Sequence, residues 1–351
     1  MIRAALGVCL VLAGAGHAET LRIATWNVEL DRTGPGLLAR DLTKGEDPQV
    51  TAVVQGLVTL DADIVLLTGF DYDLGGVALG LLADRLAAKG AVYPHRFAFR
   101  PNTGEQTGFD VDRNGRLGDP RDAQGYGLFS GQGGMAVLSR LPLDTGAARD
   151  FSGYLWRDLP GALRPEGTEP GLWDVQRLAS TGFWDLPVVT GAGPLHLLAW
   201  HATPPVFDGP EDRNGKRNHD EADFWRQYLD GALPMAPPDA PFVLLGDANL
   251  DPADGDGLRD GITALLAHPS LQDPAPQGTH GRKEPGHVGP PALDTALFPE
   301  IGGLRLDYVL PSADVRVVAA GVMWPPADDP LAADLILASR HYPVWVDIAL
   351  P

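Results

Sequence analysis

Apolar and polar positions along this chain fall into blocks that read alternately as strands and helices. Leu21-Arg-Ile-Ala-Thr-Trp-Asn27 is a strand-like run that stops on a polar residue. Asp47-Pro48 then opens a helix, with Asp47 as N-cap and Pro48 at the first helical position, where its missing N–H goes unused. Val50, Val53, Val54, Leu57 and Val58 recur at i, i+3, i+4, i+7 and i+8 and make one apolar face. Ile64-Val-Leu-Leu67 predicts a buried strand, Leu74 to Lys89 a second helix, and Arg100 to Gly134 a turn-rich stretch. Further strands are expected at Met135–Leu138, Phe183–Val189, Leu195–Trp200, Phe242–Leu245, Leu304–Leu310 and Val344–Ile348. A helix from about His219 to Leu229 carries Phe224, Trp225, Tyr228 and Leu229 on its buried side. Apolar strand runs separated by helices favour an α/β layered fold, with sheets covered by helices. No internal repeat and no linker between two compositions is visible, so one domain over residues 19–351 is expected.

Residues 1–18 have the pattern of a cleavable signal peptide. Arg3 gives a basic start, Ala4 to Ala15 an apolar run too short to span a bilayer, and Gly16-His17-Ala18 small residues at the cleavage positions. A periplasmic or secreted protein without integral membrane contact is the expectation. Cys9 is the one cysteine of the sequence and leaves with this segment, which excludes cysteine catalysis, Cys-type zinc sites and disulfides in the mature chain. The balance of 27 Lys+Arg against 46 Asp+Glu gives a formal charge of -19, which argues against a protein that grips nucleic acid by spread cationic charge. With 43 Gly and 32 Pro, long structured loops are expected.

The chemistry lies where strands end. Phe242-Val-Leu-Leu-Gly-Asp247-Ala-Asn249 delivers a carboxylate and an amide to a sheet rim two residues apart, where they can orient a water and hydrogen-bond a phosphate oxygen. The plainer reading is a turn closed by Asp and Asn side chains. Asn27, His201, Asp307 and His341 stand at or beside other strand ends. A lone His is usually a satisfied structural residue, but an Asp within a strand is costly unless paired. Two His, two Asp and two Asn so placed look like one site.

In order and spacing these pieces resemble the endonuclease/exonuclease/phosphatase superfamily, the DNase I-like fold. The resemblance rests on Arg22-Ile-Ala-Thr-Trp-Asn27, Asp63-Ile-Val-Leu-Leu67, Gly134-Met-Ala-Val-Leu-Ser-Arg140, His201, Gly246-Asp-Ala-Asn249, Leu306-Asp-Tyr308 and Ser339-Arg-His341. It implies a four-layer α/β/β/α sandwich, two packed mixed sheets flanked by helices, with divalent-metal phosphoesterase chemistry. It also implies Asn27 as a metal ligand and Asp247 with Asn249 as the pair that handles the attacking water and contacts the phosphate. By the same resemblance His341 is the catalytic histidine opposite, Asp307 the carboxylate beside the phosphate, and His201 the group that can protonate the leaving oxygen.

Two positions depart from the family pattern. Thr68-Gly69 stands where the family usually has Gln-Glu, and Arg340-His341 where it has Asp-His. Asp71 and Asp73 are the nearest replacement metal ligands for Mg²⁺ or Mn²⁺, and Arg340 has a planar fork suited to a substrate phosphate. Separately, Asp110-Val-Asp112-Arg-Asn114-Gly115 begins like an EF-hand-type Ca²⁺ loop, although its twelfth position is Arg121, leaving Asp119 or Asp122 to complete it. A solvated acidic turn explains the same residues equally well, and better explains the looser Glu211-Asp212-Arg-Asn214-Gly215. The expected protein is a monomeric, exported, metal-dependent phosphoesterase acting on a small molecule, nucleotide, lipid headgroup or nucleic acid. The competing reading is a catalytically weak or inactive relative that binds calcium or a phosphorylated ligand.

Overall fold

The computed structural model of the chain describes residues 20–350, so the leader expected over residues 1–18 lies outside the described residues. In chain order the strands are β1 (Thr20–Leu30), β2 (Ile64–Phe70), β3 (His95–Phe97), β4 (Gly134–Ser139), β5 (Arg149–Asp150), β6 (Gly182–Thr190), β7 (Gly193–His201), β8 (Phe242–Asp247), β9 (Ala296–Phe298), β10 (Gly302–Leu304), β11 (Asp307–Pro311), β12 (Arg316–Val322) and β13 (Val344–Ala349). The helices are α1 (Leu37–Lys44), α2 (Pro48–Leu60), α3 (Val77–Ala88), α4 (Pro170–Trp173), α5 (Arg213–Leu229), α6 (Asp260–Leu266) and α7 (Pro330–Ala338).

Two mixed sheets form the centre. One has the order β12-β13-β1-β2-β4-β3, the other β11-β8-β7-β6-β5, and β9 pairs separately with β10. β1 runs parallel to β2 and β7 parallel to β8, while the remaining pairs are antiparallel. The sheets pack face to face, with β1 and β2 against β8 and β11. Period-two alternation explains why the strands of the second sheet read as unbroken apolar runs. On β8, Val243 and Leu245 join the core between the sheets, whereas Phe242 and Leu244 join a second core. That second core includes Phe224, Trp225 and Tyr228 of α5 and Ile262 and Leu265 of α6. Each such side chain removed from water is worth roughly 1.5–3 kcal/mol, so a polar residue inside the run would be penalised from either face. Leu42, Val53, Leu86 and Leu335, from α1, α2, α3 and α7, pack into the first core. Helices flank both sheets, as expected.

Most predicted elements form within a residue or two. α2 begins as its sequence predicts, with the Val50 N–H donating to Asp47 Oδ1 at 2.8 Å. α7 repeats the device, with Asp329 accepting from Leu331 N ahead of Pro330, although its short, nearly uniform apolar run gave no clear helical face. The second predicted helix starts at Val77 rather than Leu74, because Gly75 and Gly76 take left-handed backbone, φ 98° and 65°. The helix expected from about His219 starts at Arg213 instead, over a polar first turn with no apolar period. The Leu304–Leu310 run is divided: Arg305 leaves the ladder, its N–H donating to Asp251 and its guanidinium pairing with Asp273.

Candidate active site

Register on the second sheet sets the site. His201 is the cross-strand neighbour of Asp247, and Asp247 of Asp307, so the ends of β7, β8 and β11 form a row of three ionisable side chains. His201 Nε2 lies 3.5 Å from Asp247 Oδ2. The first sheet contributes from across the sandwich: Asn27, on β1, donates its Nδ2–H to Asp247 Oδ2 at 2.9 Å. His341, just ahead of β13, is fixed by its own backbone, its N–H donating to Ser339 Oγ and its carbonyl accepting from Trp26 Nε1. Its Nδ1 meets Asp307 Oδ2 at 2.8 Å, an oxygen that also accepts from Thr295 Oγ1 at 2.8 Å. The structure therefore brings Asn27, His201, Asp247, Asp307 and His341 together. Asn249 sits at the edge, its N–H donating to Asp247 Oδ1 and its amide Nδ2 donating to the Ala202 carbonyl.

Asn27, Asp247, Asp307 and His341 are buried and His201 partly so, and burial governs their protonation. Asp247 is raised above the ordinary carboxylate range, first by desolvation and then by the charge of Asp307, against the pull of His341 and its hydrogen bonds from Asn27 and Asn249. Desolvation opposes a charge on His341, but the carboxylates of Asp307 and Asp247 outweigh it and raise the group. His201 moves down, to about 3, through burial and the neighbouring His341. Asp247 thus lies between His341, whose protonated form is favoured, and His201, whose neutral form is favoured.

Helix α5 holds the strand ends in place through residues the sequence reading missed. The buried Asn218 donates its amide both to the Thr203 carbonyl, 2.7 Å, and to the Ala248 carbonyl, 2.8 Å. It therefore ties together the segments that leave β7 and β8. The buried Glu221 accepts from Thr203 N, Ser180 N and Ser180 Oγ. Arg217 beneath it donates to the carbonyls of Arg177, Leu178 and Ala179. Buried charged residues on the helix face that carries Phe224 and Trp225 were the available signal.

A divalent cation fits this donor set. Asp307 Oδ1 is buried with no hydrogen-bond partner among the described residues, and the charge of Asp307 raises Asp247. Candidate ligand atoms of Asp247, Asp307 and His341 lie within 4.8 Å of one another. His341 is a poor ligand while it keeps its proton. Asp307 and Asp247 remain as oxygen donors of the kind Mg²⁺ or Mn²⁺ takes, while Asn27 turns its Nδ2–H to Asp247 and its Oδ1 accepts from Glu29 N at 3.2 Å.

Asp71 and Asp73, expected as replacement ligands, stand apart from this cluster. Both oxygens of Asp71 accept backbone N–H groups, from Arg32 and Gly133, and both oxygens of Asp73 cap α3 through Val77 and Ala78. Gly69 is required as glycine: its φ is 64°, and a Cβ there would meet Asn27 Oδ1 at 2.2 Å. Arg340 is exposed and turned onto Glu29, which accepts from its N–H at 2.8 Å and from its Nε at 2.7 Å. Desolvation works against the Glu29 charge, but Arg340 and then His341 hold its carboxyl below the ordinary value. Glu29, two residues beyond Asn27 on a bulged segment of β1, is thus an acidic neighbour of the site that the sequence reading passed over.

The acidic loop forms a second cluster. Asp110, Asp112 and Asp122 offer oxygens within 4.8 Å of one another, and Asp122, not Arg121, closes the set. Asn114 engages this loop from within, donating its N–H to Asp110 and Asp112. The looser acidic motif is no loop: Arg213 to Gly215 form the first turn of α5.

Comparison with known proteins gives a consistent picture. The sequence profile of the Endonuclease/Exonuclease/phosphatase family matches residues 24–341. No curated protein matches the chain. Among solved structures, an endonuclease/exonuclease/phosphatase from Beutenbergia cavernae superposes with a TM-score of 0.56 at 22% identity, covering 94% of this chain and 72% of its own. A family protein from Leptotrichia buccalis gives 0.51 at 14% identity, covering 94% and 100%. A beta toxin mutant from Staphylococcus aureus with bound magnesium ions gives 0.50 at 14% identity, covering 93% and 99%. At these identities the likeness concerns the fold.

Proposed function

The chain belongs to the endonuclease/exonuclease/phosphatase family, and from that premise we propose that it is an exported, divalent-metal-dependent hydrolase of phosphoesters. The observation that carries this reading is the His201–Asp247–Asp307 row, closed from the opposite sheet by Asn27 and His341.

Asp247 orients and deprotonates the attacking water; its raised pKa brings it toward the neutral range where a general base works well. His341, kept protonated by Asp307 and Asp247, faces the charge that develops on the phosphoryl oxygens and needs no reorganisation to do so. His201, neutral, donates a hydrogen bond to the leaving oxygen rather than acting as a cationic acid. Asn249, through its hydrogen bond to Asp247, helps fix that carboxylate. Asp307 and Asp247 would hold Mg²⁺ or Mn²⁺, whose Lewis acidity neutralises charge on the phosphate. The magnesium-bound beta toxin of the same fold supports that choice of metal. Arg340, exposed beside His341 and resting on Glu29, is the cation that would turn to an outer substrate phosphate. The net charge of -19 favours a small phosphoester, nucleotide or lipid headgroup over duplex nucleic acid.

Hydrolysis in ¹⁸O-labelled water tests the reading. Label in the phosphate product supports water attack at phosphorus, and label confined to the alcohol product contradicts it.

A further inference from the structure

The tetrapeptide Asp-Arg-Asn-Gly occurs twice, at Asp112–Gly115 and Asp212–Gly215. As sequence, the first copy belongs to a motif that begins like a cation loop and the second to a looser one better read as a solvated acidic turn. In the fold their arginines line one cavity of about 330 Å³, together with Asp110, Thr168 and Leu172. Both tetrapeptides bend sharply: Arg113 has φ 59° and Asp212 φ 52°. We propose that this cavity binds a phosphate-type oxyanion between Arg113 and Arg213.

Unused charge is the main argument. Among the described residues neither guanidinium has a carboxylate oxygen within the 4.0 Å of an ion pair, although nearby Arg157 and Arg177 pair with Asp174 and Glu105. Arg213, half-buried, has one long hydrogen bond, 3.4 Å to Gln176 Oε1. Arg113 donates to the Gly167 carbonyl. The lining also carries two carboxylates, neither of them paired with these arginines: Asp110 accepts from the N–H groups of Asn114 and Gly115, and Glu169 is exposed. Burial holds Arg213 below its ordinary pKa; Glu211 and, more weakly, Asp208 pull it back up, while the charge of Arg113 pushes it further down. An oxyanion between the two planar forks would relieve both the desolvation and the repulsion. The space exceeds one phosphate and suits a small phosphorylated molecule.

The cavity is separate from the catalytic row but joined to it by α5. Arg213 precedes Asn218 by five residues, about 7.5 Å along a helix axis, and Asn218 bridges the ends of β7 and β8. Two sources offer the same chemistry: free inorganic phosphate, or a second phosphate on the substrate. The second rests on the hydrolytic reading above; the first does not.

Titration of inorganic phosphate into the full chain, stripped of divalent cations, by calorimetry tests the site. Saturable binding is expected, weakened at least about tenfold, or about 1.4 kcal/mol, in Arg213→Gln and in Arg113→Gln and retained in Asp247→Asn. Arg113 is exposed, so its variant keeps the test valid if Arg213→Gln does not fold. Wild-type affinity in both arginine variants, absence of binding in the wild type, or loss of binding in Asp247→Asn alone overturns the proposal. Turnover separates the sources. A KM raised in the arginine variants only for a doubly phosphorylated ester identifies a substrate phosphate. Unchanged KM for singly and doubly phosphorylated esters, with phosphate binding lost, identifies the free anion. Failure of all turnover leaves the calorimetry intact.

Discussion

Asp307 holds His341 through a 2.8 Å bond to Nδ1 while its other oxygen, buried, has no partner among the described residues. One carboxylate thereby fixes the orientation and charge of a histidine and leaves an oxygen free for a cation. Asp307→Asn removes both properties with little change of volume. Its kcat is expected to fall about 10²–10³-fold, the usual cost of one preorganised electrostatic group. The imidazole of His341 should titrate at lower pH by NMR. A large loss of kcat with an unchanged His341 titration would detach the carboxylate from the histidine.

Asn218→Ala removes a donor that bridges the buried Ala248 carbonyl and the part-buried Thr203 carbonyl. Leaving both unpaired is expected to cost about 1–3 kcal/mol in denaturant unfolding. Because the two carbonyls flank His201 and Asp247, kcat should fall more than KM rises, and Asn218→Gln should not recover it. Equal changes in the two constants would mark a merely structural role.

Gly69→Glu places a carboxylate where the family usually carries one. Backbone at φ 64° and a Cβ 2.2 Å from Asn27 Oδ1 make this a loss: the variant should unfold at lower denaturant and bind Mn²⁺ no more tightly. Tighter Mn²⁺ binding with full stability would show that β2, not the paired carboxylates, is the natural anchor.

Asp294 predicts a pH effect on stability. Burial, and then the charge of Asp251, raises it from 3.8 to about 7. Between those values the folded chain keeps a proton that the unfolded chain has lost, so its contribution, full below the lower value, declines as pH rises to the upper one. Asp294→Asn should therefore raise Tm at pH near 8 and leave it nearly unchanged near pH 4. A gain of equal size at both pH values would contradict the assignment.

The strand ends were the legible part of the site. Asn27, His201, Asp247 and His341 each close an apolar run or stand beside one, and those runs mark buried strands because a doubly covered sheet admits little else. What converges with what depends on register, which periodicity cannot supply: the Asp247–Asp307 pairing follows from β11 joining β8 after a break at Arg305. Asp71 and Asp73 engage backbone N–H groups instead, since short acidic side chains after a strand serve equally well as caps and backbone acceptors. Glu29 was hidden by a β-bulge that turns it toward Arg340. Glu221 and Asn218 were hidden because their partners, Ser180 Oγ apart, are backbone carbonyls and amides, which carry no residue-type signature.

The central claim is metal-dependent hydrolysis at the row of His201, Asp247 and Asp307 facing His341. It is tested most directly by turnover of a chromogenic phosphodiester and phosphomonoester in EDTA, Mg²⁺, Mn²⁺ and Ca²⁺, for the wild type and His341→Ala. The account predicts turnover with Mg²⁺ or Mn²⁺, loss in EDTA and loss in His341→Ala while the variant stays folded. Turnover that survives both EDTA and His341→Ala, or none from the wild type with any metal, would contradict it.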